Sequence, residues 1–333
     1  MDPISLTRRL IDIDSISGNE AAVGEFLLRE LAALGFSATR MPVDDAANRF
    51  NVYATCGRDP VVVFSTHIDT VPPFIASSED AERIYGRGAC DTKGIIAAML
   101  AAALRLKAEG APVGLLFVVG EERDSLGAKT ANAAKLRRPR FLINGEPTEN
   151  KVATASKGAL RVEVTARGKM AHSAYPQLGE SAIDKLLEAL QRIRALELPV
   201  NPEVGPTTMN IGVIEGGRAP NVIADSAKAQ LLYRLVGPSE QLKQDLKAAV
   251  EGLAELEFVL EIPFTKLRTF PGLPTFVAAY TTDIPWLDTW GEPILFGPGS
   301  IHVAHTSGEY IEKWQLLDAI EIYYDMAKKL LAS

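Results

Sequence analysis

The stretch Val61-Val62-Val63-Phe64-Ser65-Thr66-His67-Ile68-Asp69 decides the fold. A short β-branched run follows Pro60 and passes directly into a polar Ser-Thr-His. Such a continuous apolar run suits a strand covered on both faces, as in a parallel sheet, whereas a strand with one wet face alternates. The same texture recurs at Gly114 to Val119 and at Phe141 to Ile143. Helical patterns lie among these runs. Val23, Phe26, Leu27, Leu31 and Leu34 recur at three- and four-residue intervals before Gly35, and an Ala-rich segment from about Lys93 to Glu109 closes on Gly110. Strand and helix alternate, which predicts an α/β domain with a largely parallel central sheet.

Beyond Lys157 and Gly158 the texture changes. Leu160 to Thr165 alternates strictly, as expected of a sheet with one wet face, and helical spacing follows from Ala182 to Ile193. Alternating segments around Met209 to Ile214 and Ala229 to Leu235, a helix marked by Leu242, Leu246 and Val250, and a strand-like run at Phe258 to Ile262 complete an α+β unit. This unit has an antiparallel sheet and two helices. The tail returns to the first style, with Ile294-Leu295-Phe296 entering Gly297-Pro298-Gly299 and a helix from Trp314 to Leu331. The expected organisation is therefore one discontinuous domain, 1–156 and 267–333, interrupted by an inserted domain, 157–266.

Composition narrows the classes. The 333 residues are 47% hydrophobic and 23% charged, as in a packed globular chain long enough for about two domains. A net charge of -7 without basic clusters argues against nucleic acid as a partner. The start, MDPISLTRRLIDIDSIS, has no apolar core before a cleavage site, and the most apolar stretch, Gly94 to Leu106, falls short of the ~20 residues a membrane span needs. The expectations are no secretion signal, no membrane partner and a buried helix over that stretch. Two cysteines, Cys56 and Cys90, point to the cytoplasm rather than to a disulfide framework.

In open α/β sheets the ligand site lies beyond the carboxyl ends of the strands. Each apolar run here delivers metal-ligand types at its end: His67 and Asp69, then Asp91 before the Ala-rich helix, then Glu121 and Glu122, then Glu146. The Gly-rich loop near the C-terminus adds His302 and His305. Two imidazoles and several carboxylates at one sheet edge would satisfy a pair of divalent ions, Zn²⁺ above all, with one carboxylate bridging. Alternatives accompany the individual residues: Glu121 and Glu122 suit a helix N-terminus, and Asp91 suits an N-cap. Residue chemistry alone does not say which of the two adjacent glutamates binds metal.

The segments STHIDTVP (65–72), GRGACDTKGIIAAML (86–100), GEE (120–122), NGEPT (144–148), GKMAHSAYPQLGESA (168–182) and GPGSIHVAHTSGEYI (297–311) together resemble the M20 family of di-zinc amidohydrolases and exopeptidases. The family includes acetylornithine deacetylase, desuccinylases, aminoacylases and carboxypeptidases. The resemblance implies that His67 and Glu146 complete one metal's shell, Glu122 and His305 the other's, and Asp91 bridges. It makes Asp69 the orienter of His67 and Glu121 the general base. It implies two Zn²⁺, with Co²⁺ able to substitute, and a homodimer formed through the inserted lid domain. His172 would reach over the partner's site as an oxyanion donor, a group whose loss from comparable sites costs about 3 kcal/mol. Gly216, Gly217 and Asn221 resemble a substrate-contacting turn, Gly299 lies in the Gly-rich loop beside the site, and Arg234 stands where an arginine grips a substrate carboxylate. The sequence departs from the family at Ala224, often Pro, and Leu232, often Asp, and Pro271 to Thr282 looks abbreviated. Cys90 is expected to pack, Glu309 to support the loop of His305, and Trp286, Trp290 and Trp314 to serve core or subunit contacts. The implied activity is hydrolysis of an N-acyl amino acid, acetylornithine deacetylase-like, with a dipeptidase, carboxypeptidase or desuccinylase as the alternative.

Overall fold

The computed structural model describes residues 1–43, 49–57 and 59–333. The chain divides into two compact units: residues 1–154, 267–276 and 282–333 form the first, and 155–266 with 277–281 form the second.

The first unit is built on a six-stranded sheet. In spatial order the strands are Ser37–Pro42, Phe50–Thr55, Val113–Val118, Val62–His67, Phe141–Asn144 and Glu292–Leu295. The last four run parallel and the first two form an antiparallel edge. Every residue of Val62–His67 and Val113–Val118 is buried, which is why their apolar runs do not alternate. The Ala-rich helix, Gly94–Ala108, is buried nearly all round and packs against the C-terminal helix Lys313–Leu331. Small side chains let the sheet press close: a Cβ on Gly145, just beyond the Phe141–Asn144 strand, would lie 2.4 Å from a methyl of Ile95. No helix among the described residues is long and apolar enough to cross a membrane.

The second unit has a four-stranded antiparallel sheet ordered Thr208–Gly216, Ser226–Leu235, Gly158–Arg167 and Glu255–Ile262. Along Ser226–Leu235 every second residue is buried. That face packs with Leu160, Val162 and Val164 against the helices Ala182–Arg194 and Glu240–Val250. Thr208–Gly216 is an edge strand that exposes Val213 and Ile214.

Of the three tryptophans, Trp290 is buried with its indole N–H donating to the Ala131 carbonyl, and Trp286 is half-buried. Trp314 is 58% exposed and so is not a core residue: it opens a helix whose buried positions begin at Leu316.

Candidate metal centre

Strand ends and tight turns of the first unit gather the site. His67 closes the Val62–His67 strand and is buried. Its Nδ1 lies 2.9 Å from the Asp69 carbonyl oxygen and 3.6 Å from that residue's carboxylate. The Asp69 carbonyl, nearer than its carboxylate, therefore fixes the imidazole. The Asp69 carboxylate is used elsewhere. One oxygen accepts the Glu121 N–H at 3.1 Å, and the other accepts the Glu122 N–H at 3.3 Å and the Ser17 hydroxyl at 2.6 Å.

Asp91 occupies a buried kinked turn before the Ala-rich helix and caps nothing. One of its carboxylate oxygens lies 3.0 Å from His67 Nε2 and the other 3.2 Å from His305 Nε2. His305 Nε2 also lies 3.0 Å from Glu122 Oε1. His305 has a left-handed backbone, φ 64, a conformation uncommon outside glycine that persists where surroundings fix it. Glu121 and Glu122 lie in a turn, not at a helix N-terminus, and both are half-buried. Ligand atoms of His67, Asp91 and Glu122 all fall within 4.8 Å of one another. Glu146 is buried, and its Oε1 has no hydrogen-bond partner among the described residues.

The electrostatics follow from this crowding. Burial, with Glu146 next, pushes the Glu121 carboxyl well above its ordinary range, and burial together with Asp91 and Asp283 does the same to Glu146. Burial opposes charge on His67, yet Asp69 and Asp91 carry its pKa well above 6.5. Asp91 and Glu122 raise that of His305 to about 10. Asp91 is itself held low by both histidines, against the effect of burial. Both imidazoles thus face a surplus of carboxylates. A buried carboxylate oxygen left without a partner is costly, and a cation would satisfy it. Imidazoles and carboxylates are also the donors that divalent zinc takes.

Outside the core of the site, Gly299 has φ 88, and a Cβ there would lie 2.5 Å from Cys90 Cβ, so the Gly-rich loop packs directly on the residue before Asp91. Cys90 is buried and its thiol is pushed well up by burial, consistent with packing. His302 is exposed.

The remaining expected residues lie in the second unit. His172 and Asn221 are exposed, with the Ser173 N–H donating to the Asn221 carbonyl and the Ala174 N–H to His172 Nδ1. Gly217 turns with φ 75. Arg234 is half-buried on the Ser226–Leu235 strand, where burial lowers its pKa. Sequence reasoning missed two residues near the centre. Ser17 binds Asp69 across 52 positions, a separation without local signal. Asp283 is buried: desolvation raises its carboxyl to about 7 while Ser125 and His67 oppose the rise and Asp69 adds to it. It follows the segment read only as abbreviated.

Comparison with known proteins accords with this geometry. The family described as "Peptidase dimerisation domain" matches residues 154–258, and "Peptidase family M28" matches residues 51–185. A peptidase M20 domain-containing protein of Schizosaccharomyces pombe is 41% identical over 97% of this chain and 83% of its own length. A probable carboxypeptidase of Aspergillus fumigatus is 37% identical over 98% of this chain and 86% of its own. Among solved structures, a Staphylococcus aureus tripeptidase superposes with a TM-score of 0.82 at 23% identity, covering 99% of this chain and 98% of that one. A dinuclear metal-binding M20 peptidase of Bacillus subtilis gives 0.73 at 17% identity, covering 99% and 98%. With whole-chain likeness of this degree to the S. pombe protein, the chain belongs to the M20 family of peptidases, enzymes that hydrolyse amide bonds.

Proposed function

We propose that the chain is a two-metal carboxypeptidase-type hydrolase. Residues 1–156 and 267–333 form the catalytic domain, and 157–266 forms a lid that dimerises. His67 and Glu146 would hold one cation, Glu122 and His305 the other, and Asp91 would serve both. Zn²⁺ is the proposed ion, with Co²⁺ able to replace it. The observation that carries this reading is Asp91, whose two oxygens face different imidazoles, beside the unpartnered Glu146 oxygen. Divalent ions bound there would polarise the scissile carbonyl and make water nucleophilic at neutral pH.

The chain's own residues do the rest. Asp69 holds the backbone of Glu121 and Glu122 so that one carboxylate serves binding and its neighbour stays available. Glu121 takes a proton from the attacking water and delivers it to the departing amine nitrogen. His172 donates to the oxyanion of the tetrahedral intermediate in the partner's site. Gly217, Asn221 and Gly299 contact the substrate. Arg234, a half-buried guanidinium, receives a substrate carboxylate, for which its fork geometry is suited.

A substrate amide whose leaving amine bears a free carboxylate describes both an N-acyl amino acid and a peptide C-terminus. The relatives described as probable carboxypeptidases favour the peptide over the acetylornithine-type substrate. Hydrolysis assays with Zn²⁺ or Co²⁺ on blocked dipeptides, N-acetylornithine, N-acetyl-lysine and N-succinyl-diaminopimelate separate these. Peptide turnover above N-acetylornithine turnover supports the proposal, and the reverse order returns it to a deacetylase.

Dimerisation through the second unit is supported by the edge strand and by the exposed Ile183, Leu187, Val213 and Ile214, an apolar surface of the kind that subunits cover. Light scattering tests it: Leu187→Glu with Ile214→Glu is expected to yield monomers, and an unaltered dimer mass would contradict this face. A cytoplasmic location is proposed from the two free cysteines.

A further inference from the structure

Glu309 is a buried carboxylate that the catalytic scheme leaves unused. Its Oε1 accepts the backbone N–H groups of Cys90 and Asp91, each at 3.3 Å, and lies 3.6 Å from the Cys90 thiol. Its Oε2 accepts from Arg87 Nη1 at 2.6 Å, and Arg87 Nε donates to the Pro73 carbonyl at 3.3 Å. The side chains of Arg87 and Glu309 are 2% and 0% exposed. Main-chain contacts repeat the tie. The Gly86 N–H donates to the Glu309 carbonyl, and Tyr310–Glu312 pairs with Arg83–Tyr85.

A buried ion pair is poor evidence for stability, because desolvation offsets most of the attraction and apolar replacements are often neutral. The geometry gives a different reason for this one. Glu309 grips the main chain of Asp91, whose carboxylate faces both histidines, and it lies four residues after His305 in the same segment. It mirrors Asp69, which grips the main chain of Glu121 and Glu122.

We propose that Glu309, held by Arg87, is a positioning residue that locks Asp91 between His67 and His305, so that one buried carboxylate couples both metal positions. The inference rests on the two-metal reading above. Residues around metal ligands commonly change metal affinity by 10- to 100-fold when altered.

Calorimetric titration of the metal-free protein with Co²⁺ tests it without reference to turnover. Glu309→Ala is expected to weaken binding by roughly 10- to 100-fold. Glu309→Gln combined with Arg87→Met keeps an acceptor facing the two N–H groups without a buried charge, and is expected to restore binding to near the wild-type level. A merely structural pair would lower the melting temperature of the metal-free protein while leaving Co²⁺ affinity unchanged, and that result overturns the inference. Should Glu309→Ala not fold, Glu309→Met combined with Arg87→Met, which removes the acceptor without leaving a buried charge, decides by the same titration: weaker Co²⁺ binding supports the lock, and unchanged affinity overturns it. Wild-type protein that binds fewer than two Co²⁺ overturns the two-metal reading and this inference with it. Two tight sites in both wild type and Glu309→Ala overturn this inference alone.

Discussion

The two units carry their candidate residues in opposite ways. In the first unit the residues are interlocked: Asp69 alone accepts from the Glu121 and Glu122 amides and the Ser17 hydroxyl while its carbonyl faces His67. In the second unit His172, Gly217 and Asn221 are exposed, and Arg234 is half-buried, where burial lowers its pKa. The difference teaches what each set is for. Ligands for divalent cations are oriented by surrounding hydrogen bonds, which is what the proposed first-unit ligands have. Of the groups proposed to meet a substrate, His172, Gly217 and Asn221 are exposed on their own unit.

Substitutions can sharpen or break that contrast. The largest expected effect lies in the interlocked unit: Glu121→Gln should retain metal and lose turnover by roughly 10²- to 10⁴-fold, the range for a positioned proton-transfer group. Metal content and kcat on the same preparation check this, and full activity would remove Glu121 from the mechanism. Next comes His172→Ala, for which kcat is expected to fall by roughly 10²- to 10³-fold, as for a lost oxyanion donor. Mixing it with Glu121→Gln subunits should recover activity if sites are shared across the dimer; proven mixing without recovery would assign His172 to its own chain or to none.

Arg234→Met should leave kcat nearly unchanged and raise KM by about 10-fold, the scale of one charge-assisted hydrogen bond, and only for substrates with a free carboxylate. An equal rise for the amidated substrate would discard the carboxylate role. The smallest effect concerns pH and the metal-free protein. The His305 pKa is raised from 6.5 to about 10 by Asp91 and Glu122, so its contribution to folding is complete below pH 6.5 and is lost as pH rises towards 10. The melting temperature of chelator-treated protein should therefore decline over that window, less steeply in His305→Gln. Identical slopes in the two proteins would count against the contact.

Much of the first unit was legible because strands buried on both faces leave unbroken apolar runs, and the polar residues ending those runs stand at the sheet edge. His67, Asp91 and Glu146 were found in that way, and the Ala-rich segment is the buried helix expected of it. What was not legible depends on pairs distant in sequence. Arg87 and Glu309 are 222 positions apart, and Glu20, which ends as a buried partner of Arg49, carries no local sign of that role. The part played by Asp69 was only half visible, since the resemblance made it the orienter of His67 without showing that its carbonyl lies nearer and that its carboxylate accepts from Glu121 and Glu122. In the second unit alternation revealed sheet and helices, but exposed loop residues such as His172 have no burial pattern to betray a role, and only the family resemblance singled them out.

The central claim is that His67, Asp91, Glu122, Glu146 and His305 form one paired metal centre with Asp91 in the middle. Titrating metal-free protein with Co²⁺, while following stoichiometry by calorimetry, tests it most directly. The account predicts two ions per chain for the wild type and loss of both tight sites in Asp91→Ala. Two tight sites persisting in Asp91→Ala, or fewer than two in the wild type, would contradict it.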